Sequence, residues 1–352
     1  MGTFRPDGEG LEWCGMLRPW IDAIGTPRVP LPGPFGSAPT PRGGLDMSIE
    51  PFATSRHLGD LQRLVNWHLS AVFPGWSLPA AHIAAHLVRN PRQPVLDPWI
   101  AERRTLCAME PRGVVAAAHL VRYRATEDVT DDYRGAGEIS WALADPLRPA
   151  AGDALLREVR RCLGEWRVRR AWAGVDLPVP LLCGVPDAWP HVAAMLGRAG
   201  FRAEQGGSAQ ETVRGGWLPR RDLPPAPLDG LRLGRRLGPG GATRLGAWHG
   251  GREVGACDLR TDLSEGGALP ALAAWATIED FEVEDAWRGR GVGTWLLTHA
   301  VAWMRLAGCT RVLLAVGVDD EGERAAHLYD RFGWGVLARE DRTWVADPPW
   351  DP

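Results

Sequence analysis

The chain has 352 residues, 45% of them hydrophobic and 24% charged, which is enough for two globular cores. A formal net charge of -3 supplies no basic surplus for nucleic acid, and no apolar run approaches the roughly 18 residues that a membrane-crossing helix needs. The opening Met1-Gly-Thr-Phe-Arg-Pro-Asp lacks the charged-then-apolar order of a secretion signal, so a cytoplasmic address is expected.

Residues 1–46 are rich in Gly and Pro and show no sustained period, which reads as a disordered or untranslated extension. Met47 to Ala53 opens a clean strand pattern and is followed by helices over 56–72 and 79–88. Strands at 105–109, 114–122 and 137–142 come next, then a helix over 152–163, a strand over 171–175 and a helix over 189–198. Residues 47–214 form a first domain on this reading. The stretch Gly215-Gly-Trp-Leu-Pro-Arg-Arg-Asp-Leu-Pro-Pro-Ala-Pro-Leu-Asp229 is expected to be a stiff, extended linker. A second domain over 230–352 contains a strand at 242–248, a strand at 276–283, a helix from Val292 and a strand at 311–316. A helix over 321–332, stopped by Gly333, follows.

Between the strand ending at Val283 and the helix opening at Val292 lies Trp287-Arg-Gly-Arg-Gly-Val-Gly-Thr294. The first amides of a helix have no partner within it, the helix dipole favours an anion there, and glycine lets phosphate oxygens approach the backbone. A polyphosphate guest is therefore expected. The dinucleotide fingerprint fails because Thr294 stands where its third glycine belongs, and the triphosphate loop fails because all 40 basic residues are arginine. The absence of lysine also excludes Schiff-base chemistry. Six cysteines lie far apart with no Cys-x-x-Cys, and nine histidines form no ligand cluster, so no metal is expected and the thiols read as reduced and mostly buried.

What remains, Arg-x-x-Gly-x-Gly at Arg288, Gly291 and Gly293, resembles the acetyl-CoA signature of the GNAT acyltransferase superfamily. The later pattern Ala325, Leu328, Tyr329, Gly333 and Trp334 fits it too, so the likeness covers residues 228–347 or so. One departure is Gly322, where the family usually has an asparagine. The resemblance implies a mixed α/β fold, the α+β GNAT fold, as two tandem mixed-sheet domains with flanking helices. It implies acetyl-CoA as co-substrate, held by Phe281, Val283, Arg288, Gly289, Arg290, Gly291, Val292, Gly293 and Thr294. Aminolysis of a thioester calls for an acid toward the sulfur and a base toward the amine. Tyr329 is the expected acid, and Glu279 and Glu282 are the candidate bases. Strand alternation puts those two glutamates on opposite faces unless a bulge intervenes, so only one of them would reach the site directly.

The first half repeats the plan in weakened form, with Gly200-Phe201 where the second has Gly333-Trp334. Its loop Asp145-Pro-Leu-Arg-Pro-Ala-Ala-Gly-Asp153 has lost the glycine pair, Pro149 has no N–H, and Leu196 stands in place of the tyrosine. Catalysis is thus expected from the second half alone. That half has only a few residues between Leu237 and its next strand, where the first half has two helices. The acceptor reads as an amine on a small molecule or a protein, with neither nucleic acid nor membrane as partner. The chain is expected to be monomeric, its tandem halves forming a pseudo-dimer. A non-catalytic acyl-CoA-binding or sensor protein is the alternative.

Overall fold

The computed structural model describes residues 47–73, 75–90, 93–204 and 209–350; the expected N-terminal extension lies outside the described residues. The chain order is β1 (Ser48–Pro51), α1 (Thr54–Val72), α2 (Ala80–His86), β2 (Ile100–Glu110), β3 (Gly113–Tyr123), β4 (Gly137–Ala144), α3 (Pro149–Glu165), β5 (Ala171–Ala173), β6 (Val185–Pro186), α4 (Pro190–Arg198) and β7 (Arg202–Ala203). It continues with β8 (Gln210–Trp217), β9 (Arg232–Leu237), β10 (Thr243–His249), β11 (Arg252–Arg260), β12 (Trp275–Val283), α5 (Val292–Leu306), β13 (Arg311–Gly317), α6 (Asp320–Asp330), β14 (Gly335–Asp341) and β15 (Trp344–Ala346).

Two compact units result, and they are not contiguous blocks. One holds the described residues up to Glu211 together with those from Ala338 onward; the other is Thr212–Leu337. In the first unit the sheet order is β1-β2-β3-β4-β5-β15-β7, so a strand from the far end of the chain separates β5 from β7. Trp344 pairs with Ala173 on one side and with Ala203 on the other. The small, apolar centre of β3, Val114 to Leu120, is buried but for polar His119's few percent, as expected of a strand covered on both faces. Helix α1 buries Leu61, Leu64, Val65, Leu69 and Val72, and α3 buries Leu155, Leu156, Val159 and Leu163, each set at helical spacing.

Glu340, at the end of β14, is almost completely buried in this unit, and its Oε2 accepts the Gly184 and Cys183 N–H groups at 3.1 and 3.2 Å. Burial pushes its carboxyl up to about 8, with the Gly184 N–H opposing and Glu211 adding to the rise. The folded chain therefore keeps a proton that an unfolded glutamate, with an ordinary value of 4.5, has released. Stability is expected to fall as pH rises between these values, by at most about 1.4 kcal/mol per pH unit. Urea denaturation of Glu340→Gln should show that slope reduced, with the variant gaining on the wild type toward the alkaline end.

The second unit orders its strands β14-β8-β13-β12-β11-β10-β9. Its core joins Val292, Trp295, Leu296, Ala300 and Met304 of α5 to Cys257, Leu259 and Ile278 of the sheet. Strand β8 includes Gly215 and Gly216, which composition assigned to a linker. A Cβ on Gly215 would lie 2.5 Å from Leu313 Cδ2, and one on Gly216 would lie 2.9 Å from the Gly333 carbonyl oxygen. The glycine pair thus marks a strand packed too closely for side chains. Buried Arg214 on the same strand pairs with Asp330 and donates to the Trp334 carbonyl at 3.0 Å. Cys107, Cys162, Cys257 and Cys309 are free and buried, whereas Cys183 is disulfide-bonded, contrary to the expectation of six reduced thiols.

Candidate active site

The site begins where two strands part. β12 and β13 pair in parallel only from Trp275↔Arg311 to Thr277↔Leu313, after which β12 follows β11 to Val283 while β13 runs on to Gly317. The register against β11 shifts at the same place. Asp258 lies opposite Asp280 and Leu259 opposite Ile278, which leaves Glu279 as the extra residue of a bulge. A bulge bends and twists its strand, so it drives β12 away from β13 and frees one edge of its backbone. At the fork, the fully buried Thr277 hydroxyl has no hydrogen-bond partner.

At the far end of β12 the chain turns into α5. Gly291, at φ 84°, precedes the first helical residue, and no side chain caps the end. The first helical bond runs from the Trp295 N–H to the Gly291 carbonyl at 3.0 Å, so the amides of Val292, Gly293 and Thr294 have no partner within the helix. The Val292 side chain itself is in the core. A Cβ on Gly293 would stand 3.5 Å from the Phe281 ring and 3.7 Å from Val283 Cγ2, so the first turn of α5 lies directly against the end of β12.

The arginines of the loop take unequal parts. Arg288 is turned back into the turn: its Nε donates to the Val283 carbonyl at 2.8 Å and its guanidinium meets Asp285 at 2.7 Å. That leaves it bracing the loop. Arg290 is exposed, 5.9 Å from the centre of the Trp287 ring. Arg331, which the sequence reading did not single out, reaches the Thr294 hydroxyl at 3.2 Å and brings a further cation to the first turn of α5. The motif spacing gave no signal for it, since it follows α6 and meets α5 only through folding.

Tyr329 is 4% exposed and lies in an aromatic group, its ring centre 6.3 Å from that of Phe281 and 5.9 Å from that of Trp334. No group among the described residues hydrogen-bonds its hydroxyl. Burial, reinforced by the neighbouring Cys257 and Asp280, holds the phenol well above its usual range, so it is neutral and able to donate.

The two glutamates are arranged differently from simple alternation. The bulge places Glu279 and Glu282 on the same polar face, each with an arginine. Glu279 takes Arg260 through both oxygens, at 2.6 and 3.1 Å, and Glu282 takes Arg244 at 2.9 Å. Both carboxylates are thus engaged by a cation. Between them stands Asp280, whose nearest cation, Arg244, is 3.7 Å away. Alternation counting passed over Asp280 because the bulge was not visible in the sequence. Gly322, the departure from the family pattern, also has a structural reason. Any Cβ there would collide with the Gly317 carbonyl oxygen, and its N–H is accepted by Asp319 at 2.7 Å as the cap of α6.

In the first unit the corresponding turn offers no such cradle. Arg148 precedes α3, Pro149 occupies its first position, and a Cβ on Gly152 would stand 2.6 Å from Met195 Sδ and 3.1 Å from the Ala144 Cβ. A pocket lined by Ala144, Asp145, Pro149, Gly152, His191 and Met195 lies at that end of the helix, but Pro149 has no N–H and the Ala151 and Gly152 N–H groups both donate to the Arg148 carbonyl.

Residues 218–334 match the model of the acetyltransferase (GNAT) family. The chain carries a GNAT domain. Its fold is also that of solved GNAT proteins. A tandem GNAT protein from the clavulanic acid biosynthesis pathway aligns at 18% identity over 86% of this chain and 99% of its own, with a TM-score of 0.55. A GCN5-related N-acetyltransferase from Sphaerobacter thermophilus aligns at 16% identity over 86% and 95%, with a TM-score of 0.54. The glucosamine N-acetyltransferase region of a fungal multi-domain GH3 beta-N-acetylglucosaminidase gives 14% identity and a TM-score of 0.57; the match covers 86% of this chain and 38% of that protein. No curated protein matches the chain. The GNAT family transfers acyl groups from acetyl-CoA, and the splayed strands, the glycine loop and the α5 amides of this chain are of a kind that could receive that thioester.

Proposed function

We propose that the chain transfers an acetyl or short acyl group from acyl-CoA to an amine of a small molecule or protein, with the chemistry carried by the second unit. The observation that carries this reading is the fork between β12 and β13, which opens toward the uncapped N-terminus of α5 and has the unbonded Tyr329 hydroxyl beside it. The Val292, Gly293 and Thr294 amides would hold the diphosphate, with Gly289 and Gly291 shaping the turn, Arg288 bracing it, and Arg290 and Arg331 adding positive charge nearby. Phe281 and Val283 would lie along the pantetheine. Tyr329 would give its proton to the departing sulfur. Holding thioester and amine together contributes much of the acceleration in reactions of this kind, on the order of 7–11 kcal/mol in favourable intramolecular cases, so the base need not be strong.

Among the described residues no group of side chains is placed to hold a metal ion, and no helix is long and apolar enough to cross a membrane. We place the activity in the cytoplasm, with a single chain as the working unit. The ion pairs on Glu279 and Glu282 favour the second reading, an acyl-CoA-binding protein without turnover. Calorimetry with coenzyme A, followed by thiol release from acetyl-CoA across a panel of amines, separates the two. Binding with release supports the transferase; binding without release for any amine supports the sensor; no binding by folded protein removes both.

A further inference from the structure

The polar face of β10 to β12 carries more carboxylates than cations. Arg244, only 12% exposed, is shared by Asp258 at 2.6 Å, Glu282 at 2.9 Å and Glu253 at 3.3 Å. Glu253 also has Arg236 of β9 at 2.8 Å, and Glu279 has Arg260. One carboxylate is left with little compensation. Asp280 stands at the bulge, its side chain 54% exposed, with only the already shared Arg244 at 3.7 Å. Directly across the ladder is Asp258, whose side chain is 5% exposed and whose Oδ1 is buried with no hydrogen-bond partner. From α6, the Tyr329 ring reaches Phe281, the neighbour of Asp280 on β12, with 6.3 Å between ring centres.

We propose that Asp280 receives the proton of an acceptor that arrives as an ammonium ion, and that Asp258 behind it is a positioning residue. This rests on the acyltransferase reading above. The cation of the acceptor supplies the charge that this face lacks, and the half-exposed carboxylate is the one open to it. Of the two protons that the ammonium nitrogen loses, the first passes to Asp280 and on to solvent. The freed lone pair forms the C–N bond, the C–S bond breaks, and Tyr329 protonates the sulfur. The second nitrogen proton passes to Asp280 and, through solvent, replaces the one given by Tyr329. Amide, coenzyme A thiol and one proton in solvent are the products.

Burial and then the negative charge of Asp258 raise the Asp280 carboxyl above its usual range, with Arg244 opposing, and burial likewise raises Asp258. Asp258 thereby makes Asp280 a better proton acceptor by occupying Arg244 and by repelling a second negative charge. The remaining ionisable neighbours are committed elsewhere. Glu279 and Glu282 on the same strand hold arginines, Cys257 of β11 is buried as a raised thiol, and Arg214 of β8 pairs with Asp330.

The test compares wild type, Asp280→Asn and Asp258→Asn in thiol release across pH, with acyl-CoA affinity measured by calorimetry. Asp280→Asn should lower kcat/KM for the amine by ~10²–10⁴-fold, leave acyl-CoA affinity unchanged, and recover as the amine deprotonates unaided at high pH. Asp258→Asn should keep most of the maximal rate but move the acidic limb of the profile to lower pH, a change that a merely structural role would not produce. Wild-type rate and profile in Asp280→Asn overturn this inference and leave the acyltransferase intact. An acidic limb unmoved in Asp258→Asn overturns the part given to Asp258. A wild type that releases no thiol with any amine overturns inference and reading together.

Discussion

Tyr329→Phe is expected to stop turnover while leaving acyl-CoA binding in place. The phenol is buried, neutral and unbonded to any described group, so removing its oxygen deletes no internal hydrogen bond and should cost little stability, under about 1 kcal/mol. The ring stays against Phe281 and Trp334 and keeps the cleft its shape. What disappears is the proton for the leaving thiolate, and general-acid contributions of this type are worth ~10²–10⁴-fold in rate. Thiol release and calorimetry on the same preparation check both halves of the expectation. An unchanged rate would reduce Tyr329 to an aromatic filler.

A chain that ends at Asp341 should lose the cooperative fold of the first unit. Such a chain lacks β15, which separates β5 from β7, and lacks Trp350, whose indole N–H donates to the Val168 carbonyl at 2.8 Å. Trp344 and Trp350 are both buried. By area each indole contributes ~4–6 kcal/mol, so the two together match the whole net stability of an ordinary domain. The exposed edges of β5 and β7 would also be open to unwanted pairing. Near-ultraviolet circular dichroism and limited proteolysis should show the segment 47–211 molten and cleaved. Intact tertiary signals from that segment would contradict the role given to β15.

What the sequence showed of the second unit was mostly local. The apolar run before the loop, the helical spacing of Val292, Leu296, Ala300 and Met304, and the strand at 311–316 each announce an element through periodicity, and the structure has them within a residue or two. Features that arise from distant segments were hidden. Gly215 and Gly216 read as a linker because composition cannot distinguish a flexible glycine from one crowded by Leu313, Leu337 and the Gly333 carbonyl. The bulge at Glu279 depends on the register with β11, so alternation alone misplaced the glutamates and passed over Asp280. Arg331 meets Thr294 only once α6 has folded. Gly322 showed in the sequence only as a departure from the family's asparagine, yet its own backbone surroundings forbid a side chain.

The order of strands in the first sheet also bears on biosynthesis. Ribosomes deliver the N-terminal half first, but its sheet stays incomplete until Trp344 to Ala346 have emerged, after the whole of the second unit has been made. The earliest-made portion is the last to close, which leaves it in the nascent state longest and makes the final stretch of translation decisive for it.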